Sequence, residues 1–186
     1  MSRAWLGAVC LASLAASAMA APHRESFDPK TSQASFAVHL RLAGDVDGQF
    51  GAVEGELEPA DGKLWRVQVR VDARELSLDG PGWMLRSTRS RSFLDVERHP
   101  EIGFVSDSFP RSLLASGGPL AGELTLRGRR RPVTFTLAPS DCKRPGHGCH
   151  IRVHGSVSRR SFGMQSQRLW VGDAVGFDFR VRLRQP

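Results

Sequence analysis

The stretch Phe177-Asp178-Phe179-Arg180-Val181-Arg182-Leu183 alternates apolar and polar side chains without a break. Successive side chains of a β-strand point to opposite faces, so this stretch predicts a strand with one apolar and one hydrated face. Three other stretches alternate in the same way, namely residues 35–42, 65–71 and 132–137. The chain is therefore predicted to fold as an antiparallel β-protein with one apolar face per strand.

Less regular strand candidates lie between these stretches, at residues 49–57, 103–109, 120–126 and 150–158. Turn-forming residues separate the candidates at residues 44–48, 59–62, 116–119 and 127–128. The long interval 76–99 is expected to hold a short helix and a crossing loop, near residues 83–96. About eight strands of this kind form either a closed barrel or a sandwich, and the pattern alone does not choose between them.

The N-terminus resembles a secretory signal peptide. Arg3 precedes the uncharged apolar run 5–14, and Ala18-Met19-Ala20 has the small residues that signal peptidase recognises. We expect cleavage after Ala20, so that residues 1–20 are a signal peptide and residues 21–186 form one domain. The alternative is a retained N-terminal anchor, but the run is short and rich in alanine for a transmembrane helix.

Two cysteines, Cys142 and Cys149, remain after this cleavage. In an oxidising compartment we expect them to form one disulfide that closes a short loop. Nearby histidines suggest a metal site as the alternative. His150 and His154, however, would lie ~13 Å apart along a strand, whereas zinc needs its ligands at ~2 Å. We therefore expect no metal site.

The chain is basic, with a formal net charge of +7 and a calculated pI near 10.5. Such a charge attracts anionic lipid head groups and phosphate-bearing ligands, and export makes nucleic acid an unsuitable partner. The arginine-rich run 127–131 is expected to be a solvated hairpin tip.

The sequence has no Gly-x-Ser-x-Gly elbow, phosphate-binding glycine loop or His-Glu-x-x-His motif. We expect no catalytic residues and no cofactor.

Four segments of the chain form a recognisable set. They are residues 27–50 with Phe27-Asp28-Pro29 and Gly48-Gln49-Phe50, residues 93–106, residues 122–133, and residues 159–175 with Arg159-Arg160-Ser161-Phe162-Gly163-Met164. In these segments the chain resembles the YceI-like lipid/polyisoprenoid-binding family of bacteria. Each segment is modest alone, but their order and spacing extend over nearly the whole mature chain. Two places depart from the family pattern. Thr31 replaces a histidine, and residues 87–92 lack the usual histidine and acidic residue.

The resemblance implies an eight-stranded, lipocalin-like antiparallel β-barrel whose lumen holds a polyisoprenoid or a similar amphipathic lipid, possibly a quinone. It implies a periplasmic binding or carrier protein without enzymatic activity, in transient contact with an anionic membrane surface or a membrane redox protein. Two alternatives stay open. One is a stress-related interaction protein with a filled barrel, and the other is an isoprenoid-modifying enzyme.

The apolar strand faces supply the candidate ligand-binding residues, with filling of an ordinary core as the alternative. The expected apolar contacts are Phe36, Val38, Phe93, Phe104, Phe135, Phe162, Met164, Phe177 and Phe179. Arginines near the barrel mouth are the expected contacts for a polar head group, namely Arg89, Arg91 and Arg160.

Overall fold

The computed structural model describes residues 23–185, so the predicted signal peptide lies outside the described residues. These residues form one antiparallel sheet of twelve segments, with two short helices. The segments are β1 Glu25–Ser26, β2 Gln33–Leu40, β3 Gly44–Gln49, β4 Val53–Pro59, β5 Leu64–Asp72, β6 Ser77–Leu78, β7 Glu101–Ser106, β8 Phe109–Pro110, β9 Gly118–Leu126, β10 Arg129–Leu137, β11 Ile151–Ser158 and β12 Val171–Val181. The helices are α1 Gly82–Arg89 and α2 Leu113–Ser116, and 3₁₀ turns occur at Ala73–Glu75 and Arg159–Phe162.

The sheet closes on itself. Its order runs from β4 through β5, β7, β9, β10 and β11 to β12, which pairs with β2. At the other edge, Phe27 pairs with Leu183 just after β12 and donates its N–H to the carbonyl of Gly55 in β4 at 2.8 Å. The first and last strands are thereby joined, and the ring of backbone hydrogen bonds is complete. The fold is a barrel, which resolves the choice that the sequence left open.

The twelve segments form eight continuous strands. Four of these strands consist of two consecutive segments each, and both segments pair with the same neighbouring strand of the barrel. The pairs are β1 with β2, β3 with β4, β5 with β6, and β7 with β8. The described part of the chain thus has twelve strand segments where about eight strands were predicted, and these segments make eight continuous strands around the barrel. A barrel of eight strands has an interior just wide enough for side chains or for one slender ligand.

The predicted faces of the alternating strands are confirmed. In β12 the side chains of Phe177 and Val181 are buried in the lumen, whereas Asp178 and Arg180 point to solvent. The same holds in β10, where Phe135 and Leu137 are buried and their neighbours are exposed. The hydrophobic effect therefore selects the strand register, since a slip by one residue would expose every apolar side chain.

The prediction of a turn at residues 44–48 is wrong, because these residues belong to β3. The turn is confined to residues 41–43, and β3 pairs with β2 from Leu40 opposite Gly44 to Ser35 opposite Gln49. Gly48 faces the lumen directly beneath the ring of Phe36, where a Cβ atom would clash with the ring. The glycines and aspartates of this segment resemble a loop in composition, but cross-strand packing makes it a strand.

The two ends of the barrel differ. Helix α1 lies in the long interval where a short helix was expected, and it stands beside one end. At the other end, Cys142 and Cys149 form the expected disulfide, seven residues apart in sequence. Gly146 within this disulfide loop packs on Leu183, and His147 contacts Glu25 at 3.1 Å. The loop therefore covers one end of the barrel.

Candidate functional site

The lumen contains two cavities of very different size, stacked along the barrel. The larger has a volume of about 630 Å³ and lies at the end that carries α1. The smaller has a volume of about 60 Å³ and lies towards the end covered by the disulfide loop. A volume of several hundred cubic ångströms is typical of a pocket that encloses a small organic molecule. The smaller cavity holds no more than a few atoms.

The larger cavity is lined almost entirely by apolar side chains. Five of the residues proposed from the sequence lie on its wall, namely Phe36, Val38, Phe93, Met164 and Phe177. Its inner end is formed by Phe177 and Ile102, and its outer end by α1, the β2–β3 turn and the segment that follows Met164. The cavity opens between these three outer elements.

Three more of the proposed residues, Phe104, Phe135 and Phe179, lie on the wall of the smaller cavity. Leu114 of α2 and Leu183 beneath the disulfide loop also line this cavity. The part of the lumen beneath the disulfide loop is therefore packed almost like an ordinary hydrophobic core.

A cluster of phenylalanine rings lies between the two cavities. Phe135 is 2% exposed and contacts three other rings, with centroid distances of 5.2 Å to Phe104, 6.3 Å to Phe177 and 5.8 Å to Phe179. All three contacts are edge-on, which is a favoured geometry for aromatic pairs. The rings of Phe177 and Phe179 stack on each other. We call these four residues the phenylalanine partition.

The remaining proposed residues lie elsewhere. Phe162 is fully buried in its 3₁₀ turn and lines neither cavity. Arg89 donates a hydrogen bond to the carbonyl of Leu76 at 2.9 Å and holds α1 to the preceding segment. Arg91 is exposed and also lies off the cavity wall.

Arg160 points away from the lumen and forms an ion pair with Asp173, at 2.8 Å between Nε and Oδ1. Hydrogen bonds from Arg160 and from the hydroxyl of Ser158 lower the pKa of the Asp173 carboxyl to about 2. The pair fastens β12 to the 3₁₀ turn at Arg159–Phe162 from outside the barrel.

The arginine that does reach the larger cavity is Arg159, which the sequence reasoning missed. Arg159 is 2% exposed, and its guanidinium donates to four carbonyls, those of Met164 at 2.7 Å, Ser166 at 2.8 Å, Gly172 at 2.9 Å and Val171 at 3.1 Å. Burial lowers the pKa of Arg159 from its usual range. Arg159 is the only ionisable residue on the described wall of this cavity, and its donors are largely committed to the backbone.

Uncharged polar groups and exposed apolar groups meet at the mouth. Ser87, Thr88 and Gln167 are the uncharged polar residues that line the cavity. Three large exposed apolar side chains line the same opening, namely Leu42 at 81%, Trp83 at 55% and Trp170 at 55%, and Leu169, 77% exposed, precedes Trp170 in the sequence. Trp83, Leu169 and Trp170 lie in a short helix and a loop whose sequences have no periodic pattern. Leu42 ends the alternating stretch 35–42, but the strand stops at Leu40 and Leu42 lies in the exposed turn that follows.

The groups of this site suit the enclosure of an apolar molecule. Its wall offers a large apolar surface, a few neutral hydrogen-bonding groups at the rim, and one arginine held by carbonyls.

Comparison with known proteins agrees with the sequence resemblance, since the YceI-like domain model matches residues 26–183. The chain belongs to the YceI-like family. No curated protein sequence matches it.

Solved structures share this YceI-like fold. Burkholderia cenocepacia BcnA matches with a TM-score of 0.67 and 18% identity, over 86% of this chain and 99% of that one. A polyisoprenoid-binding domain from Saccharophagus degradans, implicated in plant cell wall breakdown, matches with a TM-score of 0.64 and 12% identity, over 87% and 98%. The Campylobacter jejuni YCEI protein matches with a TM-score of 0.60 and 11% identity, over 75% and 85%. At these identities the likeness concerns the fold.

Among residues 23–185, neither helix has the length and apolarity needed to cross a membrane.

Proposed function

We propose that this protein binds an amphipathic lipid with a long apolar chain, a polyisoprenoid or a prenylated quinone, in the larger cavity of its barrel. The observation that carries the proposal is an apolar cavity of about 630 Å³ that is closed at its inner end and open at its outer end. An apolar chain enters such a cavity through the hydrophobic effect, at ~0.8 kcal/mol for each buried methylene. Family membership and the polyisoprenoid-binding neighbour support this ligand class.

The head group would remain at the mouth, beside Ser87, Thr88 and Gln167. These side chains donate and accept hydrogen bonds without charge, so they suit a hydroxyl, a carbonyl or a quinone oxygen. A phosphate would need compensating cations, and the guanidinium of Arg159 already donates to four carbonyls. We therefore favour a neutral head group.

The role that we propose is storage or transfer of this lipid in the periplasm, after cleavage behind Ala20. The signal-like N-terminus and the disulfide between Cys142 and Cys149 both suit an exported protein. Catalysis is not part of the proposal, because the described cavity wall offers no general base and no nucleophile with a neighbouring base. A filled barrel would lack a cavity of this size, which favours a carrier over a purely structural protein.

Native mass spectrometry of the mature protein, purified from a bacterial periplasm, tests the proposal most directly. We expect a discrete added mass that organic extraction releases and identifies as a prenyl lipid or quinone. A clean apo mass that stays unchanged after incubation with bacterial membrane lipids would contradict the proposal.

Two neighbouring substitutions on β12 provide a matched test of the location. The side chain of Val175 lies on the wall of the larger cavity, whereas Ala174 is exposed on the outer face. Val175→Trp should occupy the cavity and abolish lipid retention, whereas Ala174→Trp should leave retention unchanged. Circular dichroism and thermal unfolding would establish that both variants are folded. Full retention by a folded Val175→Trp variant would place the ligand elsewhere.

We also propose that the mouth contacts an anionic membrane during loading or delivery. Tryptophan is favoured at the membrane interface, and Trp83 and Trp170 flank the opening together with exposed leucines. Arg41, Arg86 and Arg168 lie on the same three outer elements and are exposed, and the whole chain is cationic. Apolar contact and positive charge together suit a surface rich in anionic lipid.

Vesicle co-sedimentation tests this contact. Binding to vesicles that contain phosphatidylglycerol should exceed binding to pure phosphatidylcholine vesicles, and added salt should weaken it. Trp83→Ala combined with Trp170→Ala should reduce binding, whereas Leu64→Ala, an exposed apolar position on β5, should not. Equal binding by the mouth variant and the control would contradict a role for the mouth.

A further inference from the structure

The phenylalanine partition spans the full width of the lumen. Phe104 stands on β7 and Phe177 on β12, and β9, β10 and β11 lie between these two strands in the ring. In a barrel of eight strands, two strands separated in this way are on opposite walls. Phe135 on β10 joins them, since its ring contacts both Phe104 and Phe177. The rings therefore form a continuous layer from one wall to the other.

Glycines on neighbouring strands make room for this layer. A Cβ atom on Gly155 of β11 would lie 2.7 Å from Cδ1 of Phe135. A Cβ atom on Gly122 of β9 would lie 2.8 Å from Cζ of Phe104. The rings of Phe135 and Phe104 therefore occupy space that a side chain at either glycine would need. The partition is thus a packed layer of side chains and not a loose constriction.

The space beyond the partition does not continue the binding cavity. It amounts to about 60 Å³, whereas one isoprene unit requires on the order of 100 Å³ at the packing density of a protein interior. By the same estimate, the 630 Å³ of the larger cavity encloses roughly six isoprene units. An apolar chain that enters at Trp83 and Trp170 therefore ends at Phe177 and Ile102.

We infer that the phenylalanine partition sets the maximum length of the apolar chain that this protein encloses, and that Phe135 is the residue on which this limit depends. The inference rests on the proposed lipid-binding function and adds a selection by chain length. Units beyond the limit would remain outside the mouth, in water or in the membrane, and would add no burial. Affinity should therefore rise with each unit up to the limit and then stay level.

A series of all-trans polyprenols of increasing length, from farnesol and geranylgeraniol to nonaprenol, measures the limit in the delipidated mature protein. Native mass spectrometry of the protein with pairs of neighbouring polyprenols gives the relative affinity for each added unit. We expect each unit of five carbons to raise the affinity by on the order of several hundredfold while it is buried, followed by a break near the six-unit chain.

Phe135→Ala should move this break to longer chains. The substitution frees on the order of 100 Å³ and joins the two cavities, so the break should shift by about one unit. The matched control is Phe109→Ala, which removes the same side chain from the wall of the smaller cavity and leaves the partition intact. The control should keep the wild-type break. If Phe135→Ala fails to fold, the less disruptive Phe135→Leu replaces it in the test, and it should shift the break in the same direction.

The outcomes separate this inference from the proposed function. A break that shifts in the Phe135 variants and not in Phe109→Ala supports the inference. Wild-type affinity that keeps rising through nonaprenol, or a break that Phe135 substitution leaves in place, overturns the inference while lipid binding stands. Failure of the wild-type protein to bind any of these polyprenols overturns both.

Discussion

The guanidinium of Arg159 donates a 2.7 Å hydrogen bond to the carbonyl of Met164, at the start of the segment that forms one lip of the cavity. The same group also donates hydrogen bonds to the carbonyls of Ser166, Val171 and Gly172, so it holds both the start and the end of this segment. A buried arginine without a carboxylate partner is unusual, and here the carbonyl dipoles take the place of the counter-ion. Arg159 therefore acts as the anchor of the mouth.

Removing this anchor should destabilise the protein. Arg159→Met keeps an apolar stem of similar reach and deletes every donor, which leaves four carbonyls without their partner. We expect a loss of about 3 kcal/mol in the free energy of unfolding by urea. Arg168→Met, at an exposed arginine whose bonds go only to Gln165 in the same loop, should change stability by less than ~0.5 kcal/mol. Equal losses in both variants would refute the anchoring role.

The pair of Arg160 and Asp173 should make stability depend on acid pH. The Asp173 carboxyl has a pKa of about 2 in the folded protein against an ordinary 3.8, so the native state binds this proton more weakly than the unfolded chain. The resulting stabilisation is present above the ordinary pKa and is lost as the pH falls towards 2. Because the side chain of Asp173 is 31% exposed, screening reduces the contribution to about 1 kcal/mol.

Asp173→Asn tests this dependence. At neutral pH the variant should unfold at a lower urea concentration than the wild type, and the difference should shrink near pH 2. Asp178→Asn on the same strand, whose 3.5 Å ion pair with Arg180 is more exposed, should have a smaller effect at both pH values. A stability difference for Asp173→Asn that does not vary with pH would show that the carboxylate charge is not its cause.

Substitution by alanine should change the stability differently at two glycines of the sheet, because the space around the added methyl group differs. Gly155→Ala places a Cβ atom 2.7 Å from the Phe135 ring, whereas Gly176→Ala meets nothing nearer than the Ala37 carbonyl at 3.8 Å. We expect Gly155→Ala to cost about 1–3 kcal/mol through overpacking, and Gly176→Ala to be tolerated. Thermal unfolding of both variants measures the difference. Similar melting temperatures would mean that Phe135 moves aside at little cost.

The disulfide should stabilise the barrel without affecting the ligand. Cys142 and Cys149 close a loop with a sequence separation of seven, for which chain entropy gives about 2–2.5 kcal/mol. The double variant Cys142→Ser, Cys149→Ser should unfold at lower urea concentration by about that amount. Its polyprenol retention should match the wild type, because the phenylalanine partition separates the loop from the larger cavity. Loss of retention in a folded double variant would contradict this separation.

Much of the fold was predictable because the strongest signals in the sequence are local. Strict alternation identified β10 and β12 and assigned their inward faces correctly, since burial of one face determines the register. β3 was missed because Asp45, Asp47 and Gly48 have the composition of a turn. Only the pairing of β3 with β2, and the fit of Gly48 under Phe36, make it a strand. Local composition does not report such a fit.

The site was less predictable because its parts meet only in space. Alternation put Phe36, Val38 and Phe177 on the apolar faces of their strands, and the family resemblance suggested a ligand-binding lumen. In the structure they line the larger cavity. Arg159 and Arg160 are neighbours of identical chemistry, and nothing in the sequence distinguishes the buried one from the exposed one. The partition was also invisible, since its rings come from β7, β10 and β12 and assemble only once the barrel has formed.

The way the barrel closes has a consequence for folding. The Ser32 hydroxyl and the Arg182 backbone exchange hydrogen bonds across a sequence separation of 150 residues, and Phe27 bridges β4 and Leu183 at the same seam. Until β12 and the residues just after it are available, both edges of the sheet lack partners, and unpaired strand edges readily join other chains. Contacts this distant in sequence also form slowly. We therefore expect that a truncation within β12 would leave a sheet with two unpaired edges, prone to aggregate, and would not give a smaller barrel.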